Sequence, residues 1–106
     1  MKTAKLNKML DDLGFRESTA GTNDIRRAVA IVADNHAAMM CKDVYPALAG
    51  GDRAEMARIE RRMRGAIATA MRSPFWDEAW RGLGGWGNPT NSELVRRLAR
   101  EAADED

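Results

Sequence analysis

The stretch from Asp52 to Arg72, DRAEMARIERRMRGAIATAMR, holds the densest set of chemically capable side chains in the protein. Residues 53–72 carry Arg53, Arg58, Arg61, Arg62, Arg64 and Arg72 against Glu55 and Glu60, a net +4 in a chain whose formal net charge is +1. The rest of the chain therefore sums to −3, and the basic charge is local. Arginine presents a planar fork of donors that matches two phosphate oxygens, or the O6 and N7 of guanine. A run of arginines suits contact with phosphates and base edges at once; a merely solvated face is the plainer alternative.

Such side chains need an element that aims them. Met56, Ile59, Met63, Ala66, Ile67 and Ala70 recur at helical spacing, which predicts a helix over 53–72 with one apolar face. Ala57, Arg58, Arg61, Arg64 and Gly65 fall on the opposite side. Asp52 is placed to cap this helix.

The other candidate chemistry is thin. One cysteine, Cys41, and one histidine, His36, leave no internal disulfide and no plausible zinc site, so neither metal nor cofactor is expected. Cys41 reads as a small buried hydrophobe, and His36 as a residue at a helix end. Trp76, Trp80 and Trp86 are close enough to stack bases, but core packing is the simpler use. The glycines from Gly82 to Gly87 lack the lysine and the strand–loop–helix setting of a phosphate loop. No paired-carboxylate or nucleophile constellation survives, so an enzyme is not expected.

At 106 residues, with 44% hydrophobic and 31% charged residues, the chain reads as one globular all-helical domain over 1–106. It has no apolar run of bilayer length and no secretion signal, so a cytoplasmic protein without a membrane partner is expected. A first helix is predicted over Thr3 to Leu13, stopped by Gly14, although residues 1–8 and 101–106 are expected to fray. Thr22 or Asn23 should cap a second helix through Ile25, Ala28, Val29 and Val32, ending near Asp34 to His36. A third should run through Ala38, Met39, Val44, Tyr45 and Leu48, with Pro46 awkward inside it, and end at Gly50-Gly51. Ser73 and Pro74 should open a short aromatic helix through Phe75, Trp76, Ala79, Trp80 and Leu83, with Trp86 in the next loop plugging back onto the core. Thr90 or Asn91 should cap a last helix with Leu94, Val95 and Leu98 inward and Arg96, Arg97 and Arg100 outward. The third and fourth helices, joined by a glycine turn, have the pattern of a helix-turn-helix.

Several motifs carry a resemblance. They are Leu13-Gly14 with Gly21 beyond it, Tyr45-Pro46, Arg58-Ile59-Glu60-Arg61 with Arg64, Ala66 and Ile67, and Pro89-Thr90-Asn91-Ser92-Glu93. Over about residues 9 to 103 the chain resembles the C-terminal DNA-binding effector domain of the sporulation-initiation master response regulators of endospore-forming bacteria. The resemblance implies six helices, a helix-turn-helix made by the third and fourth, and a fourth helix that enters the major groove. It implies that Glu60 and Arg61 read base edges while Arg58 and Arg64 hold the backbone or neighbouring bases. Arg53, Arg62, Asn88, Thr90 and Asn91 complete the expected DNA-contacting set. Glu60 is expected to accept from a cytosine amine or to brace Arg64, four residues on.

Departures from the family pattern are visible too. Asn88 stands where the family usually has a lysine, and the turn is Gly50-Gly51-Asp52-Arg53 instead of a longer lysine-bearing stretch. The connection from second to third helix and the loop before Asn88 are shorter. No receiver domain is found upstream of Met1, so control by aspartyl phosphorylation is expected to be lost or supplied elsewhere. Two readings follow. One is a sequence-specific regulator of transcription that binds duplex DNA, as a homodimer on repeated half-sites. The other is a phage or mobile-element protein that uses the same fold to bind another protein. They differ in whether Arg58, Arg61 and Arg64 form one exposed positive surface or are engaged by Asp52, Glu55 and Glu60.

Overall fold

Alternating apolar and polar positions at helical spacing account for every regular element among residues 3–103, which the computed structural model describes. The helices are α1 (Thr3–Leu13), α2 (Ala20–Asp34), α3 (Tyr45–Ala49), α4 (Arg53–Ala70), α5 (Trp76–Gly82) and α6 (Asn91–Ala103), and a π-helical turn over Met40–Val44 runs directly into α3. The six-helix, all-α expectation holds. Leu6, Met9, Leu10 and Leu13 are buried along α1, which is helical from Thr3. At the other end α6 continues through Glu101 to Ala103 because Ala102 is buried. Met1, Lys2 and Asp104 to Asp106, also expected to fray, lie outside the described residues.

The core forms around α2, which packs along both α4 and α6. Ile25, Ala28, Val29 and Val32 of α2 meet Ile59, Met63 and Ile67 of α4 and Leu94, Val95 and Leu98 of α6 in one buried cluster. Gly14 ends α1 at φ +96°, a left-handed conformation suited to glycine, while the Phe15 N–H reaches back to the Leu10 carbonyl. The cap of α2 is Thr19 rather than Thr22 or Asn23: its hydroxyl accepts the Thr22 N–H at 3.3 Å, and Thr22 itself is buried.

The third helix starts later than its apolar pattern suggests. Ala38 and Met39 precede it, and Val44 and Tyr45 donate to carbonyls five residues back, those of Met39 and Met40. The wider π winding relieves the conflict between the Pro46 ring and the carbonyl that an α-helix would bring against it. It also turns Met40 and Val44 inward and leaves Cys41 exposed, correcting the expected burial.

Two corrections concern the aromatic segment. Ser73 and Pro74 form a turn in which the Ser73 hydroxyl accepts the Phe75 N–H at 3.2 Å, so α5 begins only at Trp76 and Phe75 stays exposed. Trp76 stacks on Trp80 at 5.6 Å and meets Phe15 edge-on at 6.2 Å. Trp80 is buried, whereas Trp86, expected to plug back onto the core, is 90% exposed.

Candidate nucleic-acid interface

The turn Gly50-Gly51-Asp52 sets the direction of α4. Both glycines have positive φ, +61° and +84°, and the Asp52 carboxylate then accepts the Ala54 and Glu55 N–H groups at 2.9 and 3.2 Å. Asp52 is thus spent on the helix N-terminus, where a negative charge is favourable. Helix and turn together follow α3 in the helix-turn-helix arrangement anticipated from the sequence.

The depth at which α4 sits is fixed by α2. A Cβ on Gly21 would lie 2.4 Å from the Arg62 carbonyl oxygen and 2.9 Å from the Ala66 Cβ, so only glycine allows this approach. Beside it, the buried Asp24 carboxylate accepts from Arg62 Nε at 2.8 Å, with Arg27 at 3.9 Å. The hydrogen bond to Asp24 holds the Arg62 guanidinium above its ordinary pKa. Arg62, expected among the DNA contacts, therefore points at α2 and ties two helices together.

A third attachment comes from α6. Asn91 Nδ2 donates to the Tyr45 hydroxyl at 3.1 Å and to the Glu60 carbonyl at 3.1 Å, joining α3, α4 and α6 at one amide. Burial raises the pKa of Tyr45 above that of a free phenol and keeps its hydroxyl in place for this contact. Asn91, also expected to touch DNA, thus spends its amide inside the protein. Its neighbour Thr90 is the cap of α6: the Thr90 hydroxyl accepts the Glu93 N–H at 3.1 Å, and Glu93 accepts the Thr90 N–H at 2.9 Å, which lowers the Glu93 pKa. Asn88 is exposed in the preceding loop.

What remains outward on α4 is a stripe of Ala54, Ala57, Arg58, Arg61, Arg64, Gly65 and Ala68, all exposed. Arg58 is held by Glu55 at 2.8 Å, and Arg64 by Glu60. Arg61 and Arg53 have no ion pair among the described residues. The three arginines that were to be exposed or engaged are hence all exposed, with two engaged and Arg61 open. Glu60 forms the intrahelical brace to Arg64. Small residues at 54, 57, 65 and 68 leave the helix narrow between its arginines, which suits insertion into a groove about 12 Å wide.

Sequence reasoning missed two positioning residues. Asp24 sits one turn before Ala28 on the apolar side of α2, and an acid on such a face is itself the sign of a buried partner. Asn91 left no such sign, because a polar residue at a helix start is usually read as a cap. Among the described residues no His, Cys, Asp or Glu cluster could hold a metal ion, and no helix is long and apolar enough to cross a membrane.

Among known families, a model described as "Sporulation initiation factor Spo0A C terminal" matches residues 6–102. No curated protein matches the chain. That family is one of DNA binding and transcription regulation, not a family of enzymes. Matched over nearly its whole length and folded as that family's helical domain, the chain belongs to the Spo0A C-terminal family of DNA-binding domains.

Proposed function

We propose that the chain is a regulator of transcription that reads duplex DNA by laying α4 in the major groove. The observation that carries this reading is the exposed stripe on α4, with Arg61 unpaired at its centre and small residues on either side. Arg61 is the base reader, free to present a pair of its N–H donors to guanine. Arg58 and Arg64, oriented by Glu55 and Glu60, meet phosphates; the braces give up some charge and fix geometry. Arg53 at the helix start and the exposed Thr90 and Asn88 lie on flanking segments and add backbone contacts. Arg62 and Asn91 serve as supports. One such module makes few phosphate contacts, so it acts as a pair on repeated half-sites.

Selection of bound sequences from a random duplex library tests this. A short enriched motif, lost in the triple variant Arg58→Ala, Arg61→Ala, Arg64→Ala, is the expected result. No enrichment, with the triple variant behaving like the wild type, would overturn it and leave the α4 face to a protein partner.

A further inference from the structure

The loop between α5 and α6 carries features that DNA reading by α4 does not use. Gly84 and Gly87 turn the chain at φ +82° and +59° and set Trp86 almost wholly in solvent, 90% exposed. Beneath this loop Trp80 is 4% exposed, and its indole N–H is buried with no hydrogen-bond partner among the described residues. The nitrogen lies 2.5 Å from the place a Cβ on Gly85 would take, so the covering residue is bare backbone. A buried donor left without an acceptor is costly, and such groups call for an explanation.

The same spot is electropositive. A cleft of about 350 Å³ is lined by Trp80, Gly85, Trp86, Arg96, Arg97 and Arg100, three arginines against one acid, Glu93. Arg96 is spent on the carbonyls of His36 and Ala38, at 3.3 and 2.7 Å, instead of pointing outward as expected. Arg97 and Arg100 have no ion pair among the described residues; Glu93, one turn before Arg97, is committed to Thr90. Exposed aromatic area beside free guanidinium groups is the composition of an energetic centre in protein interfaces.

We propose that this cleft is a docking site for a short acidic segment of a partner protein, whose carboxylates pair with Arg97 and Arg100 while an apolar neighbour packs on Trp86. One carboxylate oxygen accepts the Trp80 indole N–H once the loop shifts at Gly85. Charge complementarity selects the acidic class. Nucleic acid fits poorly, because a duplex brings a charge every ~1.7 Å along its axis, whereas the cleft offers two unpaired guanidinium groups, enough for a short segment, beside an exposed indole. No residue of α4 lines it, so docking does not depend on how α4 reads DNA.

The test follows the indole N–H resonances by 15N-correlated NMR as acetyl-Asp-Asp-Phe-Glu-Asp-Leu-amide is added to the full chain. The expected result is a saturable shift of the Trp80 indole resonance, with affinity about tenfold lower in the Arg97→Glu, Arg100→Glu double variant. Trp86→Ala, at a fully solvated position, should also weaken binding and guards against a folding defect in the double variant. No saturable shift, an equal shift with a lysine-containing peptide of the same pattern, or equal affinity in wild type and variants would overturn the proposal. So would movement of the same resonances by a duplex selected in the library experiment, which would assign the cleft to DNA.

Discussion

α4 and α6 are both arginine-rich, yet their arginines meet different partners. On α4 the side chains are either disciplined by acids, as Arg58, Arg62 and Arg64 are, or left open, as Arg61 is. On α6 Glu93 has been spent on the helix cap, and Arg97 and Arg100, without an ion pair among the described residues, border an aromatic cleft. The adjacent pair Arg61 and Arg62 shows how finely this is divided: one step of about 100° along the helix separates an outward, unpaired guanidinium from an inward tie. Charge density alone does not assign a role. What each guanidinium touches does.

The contrast breaks most severely at the support of α4. Gly21→Leu should cost about 3 kcal/mol or more of stability, because the new side chain would collide with α4 backbone; thermal or denaturant unfolding measures it. Next comes the division between neighbours. Arg61→Ala should lose about 1–3 kcal/mol of discrimination among binding sites with little change in unfolding, whereas Arg58→Ala should weaken binding to all sequences and lower the salt slope by about one. Equal binding by Arg61→Ala and wild type would remove Arg61 from the reading role. Arg62→Ala should do the reverse: about 1–2 kcal/mol less stable, discounted because Arg62 is partly solvated, with its site preference intact. Asn91→Ala should cost about 1 kcal/mol through the lost links to Tyr45 and Glu60, read in the unfolding midpoint.

The smallest effect concerns pH. The folded pKa of Glu93 is lowered by the Thr90 amide and hydroxyl, so its contribution is present above the unfolded carboxyl value of ~4.3 and fades as the pH falls below it. The stability gap between wild type and Glu93→Gln should therefore close on acidification. A constant gap would remove the capping box from the list of contributors.

Much of the fold was legible because it rests on local chemistry. Gly14, Gly50-Gly51, Asp52 and Thr90 mark helix ends by backbone conformation or capping, and the apolar spacing of α1, α4 and α6 marks their faces. The misreadings share a cause, which is competition for space or for partners across the chain. Trp86 was expected inside, but the loop backbone at Gly85 lies directly on the Trp80 ring and Trp86 stays in solvent. Cys41 was expected inside, but the π turn before Pro46 rotates it outward. Arg62 and Asn91 were grouped with the open side chains because nothing near them in sequence shows that Asp24, 38 residues away, or Tyr45, 46 residues away, is waiting.

The position of α6 bears on the order in which the protein takes shape. The helix that completes the cluster around α2 comes last among the described elements, and the amide that fastens α4 at Glu60 lies 31 residues downstream of it. A growing chain that has produced α3, the turn and α4 still lacks Leu94, Val95 and Leu98 beneath them. These distant contacts impose a closure entropy that only the finished core repays, so folding is cooperative with the final segment. The exposed face of α4 is therefore fixed only once α6 is in place, and a fragment stopped before Asn91 should show no cooperative unfolding transition.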